Sequence, residues 1–154
     1  MIVYSFKVAL MYNKRIYRNI EILEHQTLAD LHDVIFDAFD RYDEHLYSYF
    51  LTRKATKSIR TIYDSSQYAH PMAIQDDGLF GFKRRHNAEK TKIGKLGLKE
   101  KEKLYYLFDF GDEWWHELTV SKILEAENPK EYPKIARKAG ESPEQYPDHD
   151  DYDV

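Results

Sequence analysis

The sequence predicts an α+β domain built on a mixed or antiparallel sheet, and three observations carry that reading. Residues 2–10, IVYSFKVAL, alternate with the period of a half-buried strand. Residues 28–42 repeat apolar side chains at three- and four-residue steps behind Thr27, as an amphipathic helix does. Residues 104–110 and 114–120 form two more alternating arms around a short acidic connection that contains Gly111.

In the first strand, Ile2, Tyr4, Phe6, Val8 and Leu10 share one side, with Val3, Ser5, Lys7 and Ala9 on the other. A turn-like YNK leads into RIYRNIEIL, where Ile16, Ile20 and Ile22 share a register interrupted at Arg18. So short a connection favours an antiparallel pair. Thr27 then caps the helix, and Asp30 can bond back to its start. Leu28, Leu31, Ile35, Ala38, Phe39 and Tyr42 form the apolar stripe, and Asp33, Asp37 and Asp40 the solvated face. Strand, strand and covering helix give a ubiquitin-like, β-grasp-like opening by fold-level analogy.

HLYSYFL, residues 45–51, reads as a strand with Leu46, Ser48 and Phe50 opposite Tyr47, Tyr49 and Leu51. SIRTIYD, residues 58–64, reads as a short edge strand. Between Ser65 and Gly97 the periodicity dissolves into an irregular insertion with one helical turn near KIGKLGL. The two late arms then make a C-terminal β-hairpin. Leu104, Tyr106, Phe108 and Phe110 oppose Tyr105, Leu107 and Asp109, while Trp114, His116, Leu118 and Val120 oppose Trp115, Glu117 and Thr119. Gly111, Asp112 and Glu113 form its tip, with Gly111 expected to supply the positive φ of a tight reversal. The domain so defined spans residues 1–140, with the insertion at 65–97 and an acidic tail at 141–154.

Composition narrows the function classes. A chain of 154 residues supports a core without staples, and the absence of cysteine removes disulfides, thiolate metal sites and cysteine nucleophiles. No apolar run reaches the ~20 residues a membrane helix needs, and the start MIVYSFKVALMYNK lacks a basic leader, so a cytoplasmic, non-membrane protein is expected. Charge is uneven within the net −4. Residues 83–103 carry nine Lys/Arg against three Glu, and residues 141–154 carry six acids and no Lys or Arg.

Asp109, Asp112, Glu113, His116 and Glu117 gather where the late hairpin meets solvent, beside Trp114 and Trp115. An imidazole with two carboxylates is a metal-ligand set, and a carboxyl buried against an indole is an acid–base candidate. His116 and Glu117 are consecutive and so face opposite ways, which leaves turn-capping carboxylates as the competing reading. No metal set or cofactor is specified by this spacing.

LYYLFDFGDEWWHELTVSKI followed by YPKIARKAGESPEQY resembles the signature of the plasmid pRiA ORF-three-like domain family, with its Tyr-x-x-Asp-Phe-Gly-Asp-x-Trp-x-His core. The matching residues are Asp109, Phe110, Gly111, Asp112, Trp114 or Trp115, and His116, then Tyr132, Pro133, Gly140, Pro143 and Glu144. Many members have a cysteine where this chain has Ser142, so thiolate chemistry does not carry over. The resemblance implies a plasmid- or mobile-element-associated protein with no established activity. Some members carry resolvase labels, but no Ser or Tyr here is marked out as a nucleophile beside Arg84, Arg85 and His86.

The expected function is therefore a non-catalytic binding or interaction module for a protein or small molecule. It would use Asp109, Asp112, Glu113, Trp114, Trp115, His116, Glu117 and Tyr132. The alternative is a hydrolytic or metal-dependent enzyme on Asp109, Asp112, His116 and Glu117. A second alternative is nucleic-acid binding through Lys83, Arg84, Arg85, Lys90 and Lys92.

Overall fold

Strand β1 (Ile2–Leu10) reverses through Met11 and Tyr12 into β2 (Asn13–Leu23), and the two pair antiparallel from Val3 opposite Leu23 to Leu10 opposite Asn13. The computed structural model describes residues 1–74 and 85–146. The remaining elements are α1 (Leu28–Ala38), β3 (Tyr47–Leu51), α2 (Ile59–Tyr63), β4 (Ser66–Ala69), β5 (Arg85–Asn87), β6 (Lys103–Phe108), β7 (Trp114–Glu125) and β8 (Lys134–Ala139). Among the described residues the strands form one eight-stranded sheet in the order β5-β4-β3-β6-β7-β1-β2-β8. Every pair is antiparallel except β4 with β5, so the sheet is mixed. Among the described residues no helix is long and apolar enough to cross a membrane.

The alternation seen in the sequence becomes a two-sided sheet. Phe6, Val8, Tyr49, Tyr106 and Leu118 face α1, whose Leu28, Leu31 and Ile35 are fully buried against them. Each such aliphatic side chain contributes roughly 1.5–3 kcal/mol by leaving water. Phe50, Tyr105 and Leu107 point to the opposite face and pack with Ile62 of α2. Arg18, which interrupts the apolar register of β2, is itself buried on the α1 side.

Helix α1 begins with a reciprocal cap. The Asp30 amide donates to Thr27 Oγ1 at 3.1 Å, and the Thr27 amide donates to the Asp30 carboxylate at 2.8 Å. The helix ends earlier than its apolar pattern implies. Asp40 takes a left-handed φ of 55°, its amide donates to the Asp37 carbonyl, and the Arg41 amide donates to the Phe36 carbonyl. This is the Schellman arrangement with Asp in place of glycine. Its consequence is that Arg41 turns inward while Tyr42, expected on the apolar stripe, stands 69% exposed.

Other expectations are corrected. SIRTIYD is not an edge strand: Ser58 accepts from the Thr61 amide and starts α2, and Ile62 is buried beneath that turn. Cap and packing override the β propensity of Ile and Thr. The stretch 65–97 is not wholly irregular, since it supplies β4 and β5; its helical turn is a 3-10 turn at Ile93–Leu96. Gly111 does not carry the positive φ of the acidic turn; Asp109 (63°) and Glu113 (54°) do. Asp109 sustains that conformation because its side chain accepts from the Gly111 and Asp112 amides at 3.1 and 3.3 Å. Strand β8, which the charged alternation of KIARKA conceals, pairs with β2 at the sheet edge.

Candidate functional site

The left-handed turn at Asp40 sends the chain back across the end of α1, so residues 44–46 arrive beside His32 one turn inside the helix. Together with the turn after β4 they line an open cavity of about 580 Å³. Its wall is Ala29, His32 and Asp33 from α1, Glu44, His45, Leu46 and Tyr47, then His70, Met72 and Glu89.

His32 is the fixed point of this cavity. It lies on the buried stripe of α1 with 4% exposure. Its Nδ1 is 2.6 Å from the Tyr106 hydroxyl, its Nε2 is 2.9 Å from Glu44 Oε1, and its ring stacks on Tyr47 at 3.9 Å and 9°. Burial pushes the imidazole below its ordinary pKa, against the opposing pull of Glu44, and favours the neutral ring. Tyr106 is fully enclosed, and burial raises its phenol well above the usual value, so it stays a neutral hydrogen-bonding group. Asp33 is pushed upward by burial and then by the carboxylates of Glu44, Asp30 and Asp37.

The segment carrying Glu44 and His45 is held by residues far along the chain. Gln145, buried, accepts from the Tyr42 and Asp43 amides at 3.0 Å each and donates to the Asp43 carbonyl at 2.6 Å. The Tyr146 hydroxyl donates to Asp43 Oδ2 at 2.6 Å and lies 2.5 Å from His45 Nε2. That hydrogen bond to Asp43, with burial, holds the phenol up at about 12. Ser142, in the segment expected as a tail, donates to the Phe39 carbonyl at 2.9 Å. Gln145→Glu keeps the acceptor for two amides but sets a carboxylate against the Asp43 carbonyl. The expected cost is about 2 kcal/mol of unfolding free energy, read by urea titration, and an unchanged midpoint would show that the clamp is dispensable.

The residues singled out in the sequence distribute differently. Asp109 caps its turn and also approaches His45 Nε2 at 3.5 Å, so it reaches the cavity through that histidine. Asp112 and Glu113 are exposed, and Glu113 lines a smaller cavity of about 250 Å³ with Phe50, Tyr63 and Phe110. Trp114 packs on the α1 side and Trp115 on the α2 side. His116 is fully buried on the α1 side, whereas Glu117 lies on the other face with Lys14 at 3.1 Å, Lys103 at 3.4 Å and the Tyr105 hydroxyl at 3.1 Å. Tyr132 is remote from these groups; its carbonyl accepts from Gln26 and its ring lies under Lys134. Lys90 and Lys92 are exposed and Arg85 is half-buried, while Lys83 and Arg84 lie outside the described residues.

His116 belongs to a second buried centre. Arg41 Nη2 is 2.8 Å from His116 Nε2, and the guanidinium sits over the rings of Phe39, Phe108 and Trp114 at 5.1, 5.0 and 5.5 Å. Guanidinium only donates, so Nε2 carries the lone pair and Nδ1–H donates to the Tyr106 carbonyl at 3.2 Å. Burial pulls Arg41 down to about 10, which leaves it cationic at neutral pH. Arg41 Nη1 and Trp114 Nε1 are buried without a hydrogen-bond partner among the described residues.

Sequence reasoning missed His32, Glu44, His45, His70 and Glu89 as a group. The available signal was His32 itself, a polar residue one turn after Leu28 and one turn before Phe36 on the buried stripe.

Comparison with curated proteins gives no match. Among solved structures, a protein of unknown function from Methanosarcina mazei Go1 matches with a TM-score of 0.70 and 22% identity, over 94% of this chain and 72% of that chain. At that identity the likeness is one of fold. The family model described as plasmid pRiA4b ORF-3-like protein matches residues 2–151, a span that takes in the acidic turn, His116 and the segment that clamps the site. The chain belongs to the plasmid pRiA4b ORF-3-like protein family.

Proposed function

We propose that the protein is a non-catalytic binding module whose ligand site is the cavity around His32, with the 109–117 ribbon serving as its support. On this reading β1, β2 and α1 are a β-grasp-like unit, and β6 and β7 are the hairpin that backs the cavity by setting Tyr106 beneath His32. The observation that carries it is the buried imidazole pinned at both nitrogens on the wall of a cavity of about 580 Å³. A cavity of that size with a few rigid polar groups suits a small molecule. Asp33, Glu44 and Glu89 around it favour a cation, and the Tyr47 face adds an aromatic wall.

A hydrolytic centre on Asp109, Asp112, His116 and Glu117 is the weaker reading. Asp109 is engaged with its own turn, and His116 and Glu117 occupy opposite faces of the sheet. Nucleic-acid binding through residues 83–103 has less support still, since the described aromatic beside the run, Tyr68, is stacked on His86 and the net charge of −4 opposes a polyanion.

The test is a thermal-shift panel of small cations: spermidine, arginine, choline and divalent metal ions. At a hundredfold excess over its Kd, a ligand of the native state adds about 2.7 kcal/mol of stability. Ala29→Trp, which fills the cavity from α1, removes that gain and leaves the far-UV circular dichroism unchanged. A panel with no stabilising member, or a gain that survives Ala29→Trp, overturns the proposal.

A further inference from the structure

Deepening the cavity reading and resting on it, we infer that His32, Asp33 and Glu44 bind a divalent first-row transition ion. Each offers one ligand atom, and the three atoms lie within 4.8 Å of one another. A tetrahedral ion with bonds of about 2.1 Å needs its donors about 3.4 Å apart. His32 Nε2 and Glu44 Oε1, hydrogen-bonded at 2.9 Å, need to part by only about 0.5 Å to admit it. Asp33 and Glu44 are exposed, so side-chain rotation closes the remaining gap without moving backbone.

Two features distinguish this cluster from a chance group of acids. The first is the nitrogen donor, which cannot wander: Tyr106 holds Nδ1 at 2.6 Å and Tyr47 stacks on the ring. Hydrogen bonding to the second imidazole nitrogen is the usual device for aiming a histidine at a metal. The ion takes the Nε2 lone pair, and the ring proton resides on Nδ1, where the phenol oxygen of Tyr106 accepts it. The second is access. The cavity leaves the remaining coordination positions open toward His45 and His70, which share its wall.

One imidazole and two carboxylates form a borderline donor set, which selects zinc, cobalt or manganese over magnesium. With three protein ligands the ion keeps a position for water or an anionic ligand.

The experiment is isothermal titration of chelator-stripped full-length protein with ZnCl2, and with CoCl2 read by visible absorption. The expected result is one ion per chain, with Co2+ bands of a four- or five-coordinate site. Glu44→Gln and Asp33→Asn, both at exposed positions, each weaken Zn2+ binding at least tenfold. His32→Gln abolishes it; should that buried variant not fold, the two carboxylate variants decide the matter. Binding that is absent at millimolar Zn2+, or unaltered in Glu44→Gln and Asp33→Asn, overturns the site. So does loss of binding confined to His45→Gln or His70→Gln. Organic cations that still stabilise the protein in an Ala29-dependent way, beside failed metal binding, would sink this inference and leave the cavity reading standing.

Discussion

Arg18→Met lowers the unfolding free energy by about 3 kcal/mol, a large fraction of the 5–15 kcal/mol that holds a domain of this size together. Arg18 is 2% exposed. Its Nε donates to the Ala38 carbonyl at 2.7 Å, and Nη1 is shared among the carbonyls of Tyr17, Ala139 and Gly140 at 2.9, 2.9 and 3.0 Å. The guanidinium also lies 4.9 Å from the Phe39 ring centroid. One side chain thus ties together the end of α1, the middle of β2 and the end of β8. Methionine matches much of the volume and supplies none of the donors. Replacing a buried ion pair by apolar residues is often harmless because both partners leave together. Here the partners are backbone carbonyls, which no side-chain substitution removes, and the Ala38 carbonyl is left buried without its donor. Chemical denaturation measures the loss, and hydrogen exchange localises it: the β8 amides paired with β2 lose protection first. A change below about 0.5 kcal/mol would mean that water replaces the guanidinium at no cost.

The same residue shows what the sequence conveyed and what it withheld. The register Ile16, Ile20 and Ile22 is real, and Arg18 looked like a fault in it. Periodicity reports which face a side chain takes, and Arg18 keeps that face by bonding to carbonyls from segments far away in sequence. For β1, β3, β6 and β7 the face assignments agree with the packing, because alternation is a local property and burial on both faces enforces it. The misreadings fall where local and tertiary signals diverge. SIRTIYD has β-branched letters and a serine cap, and the cap prevailed. KIARKA is an edge strand with charged, exposed positions, so little apolar alternation marks it. The acidic turn drew attention by its letters, yet its chemistry is largely internal: Asp109 caps, Glu117 pairs with lysines, and His116 serves Arg41. The cavity was illegible for the opposite reason. His32, Glu44, His45, His70 and Glu89 come from a helix, a loop and two turns, and no spacing rule connects them before the chain folds.

His116 leads to the second large effect, which acid reveals. Folded, its pKa lies well below the ordinary 6.5, first because burial excludes the charged ring and next because Arg41 stands against it. The groups facing it are Arg41, Phe39 and the Tyr106 and Trp114 backbone, with His32 nearby. A base with a depressed folded pKa binds its proton more readily when unfolded. Its contribution is complete above pH 6.5 and is lost as pH falls below that value, until the folded pKa is reached. The limiting slope is about 1.4 kcal/mol per pH unit for each such histidine. His32, also lowered, adds in the same direction. Glu117 opens a later window. Burial raises its pKa, but hydrogen bonds from Lys14 and Tyr105 and the charge of Lys103 outweigh it and hold the carboxyl below 4.5. Its stabilisation is therefore full above 4.5 and disappears as pH drops through the folded value. Urea titrations between about pH 8 and pH 3 should show stability falling from 6.5 downward. His116→Gln separates the contributions, because its amide oxygen still accepts from Arg41 and cannot titrate. That variant should lose about one proton's worth of slope below 6.5 while the Glu117 window persists. If His116→Gln keeps the parent slope, the ring must accept a proton in the folded state, and the lone pair assigned to Nε2 against Arg41 is wrong.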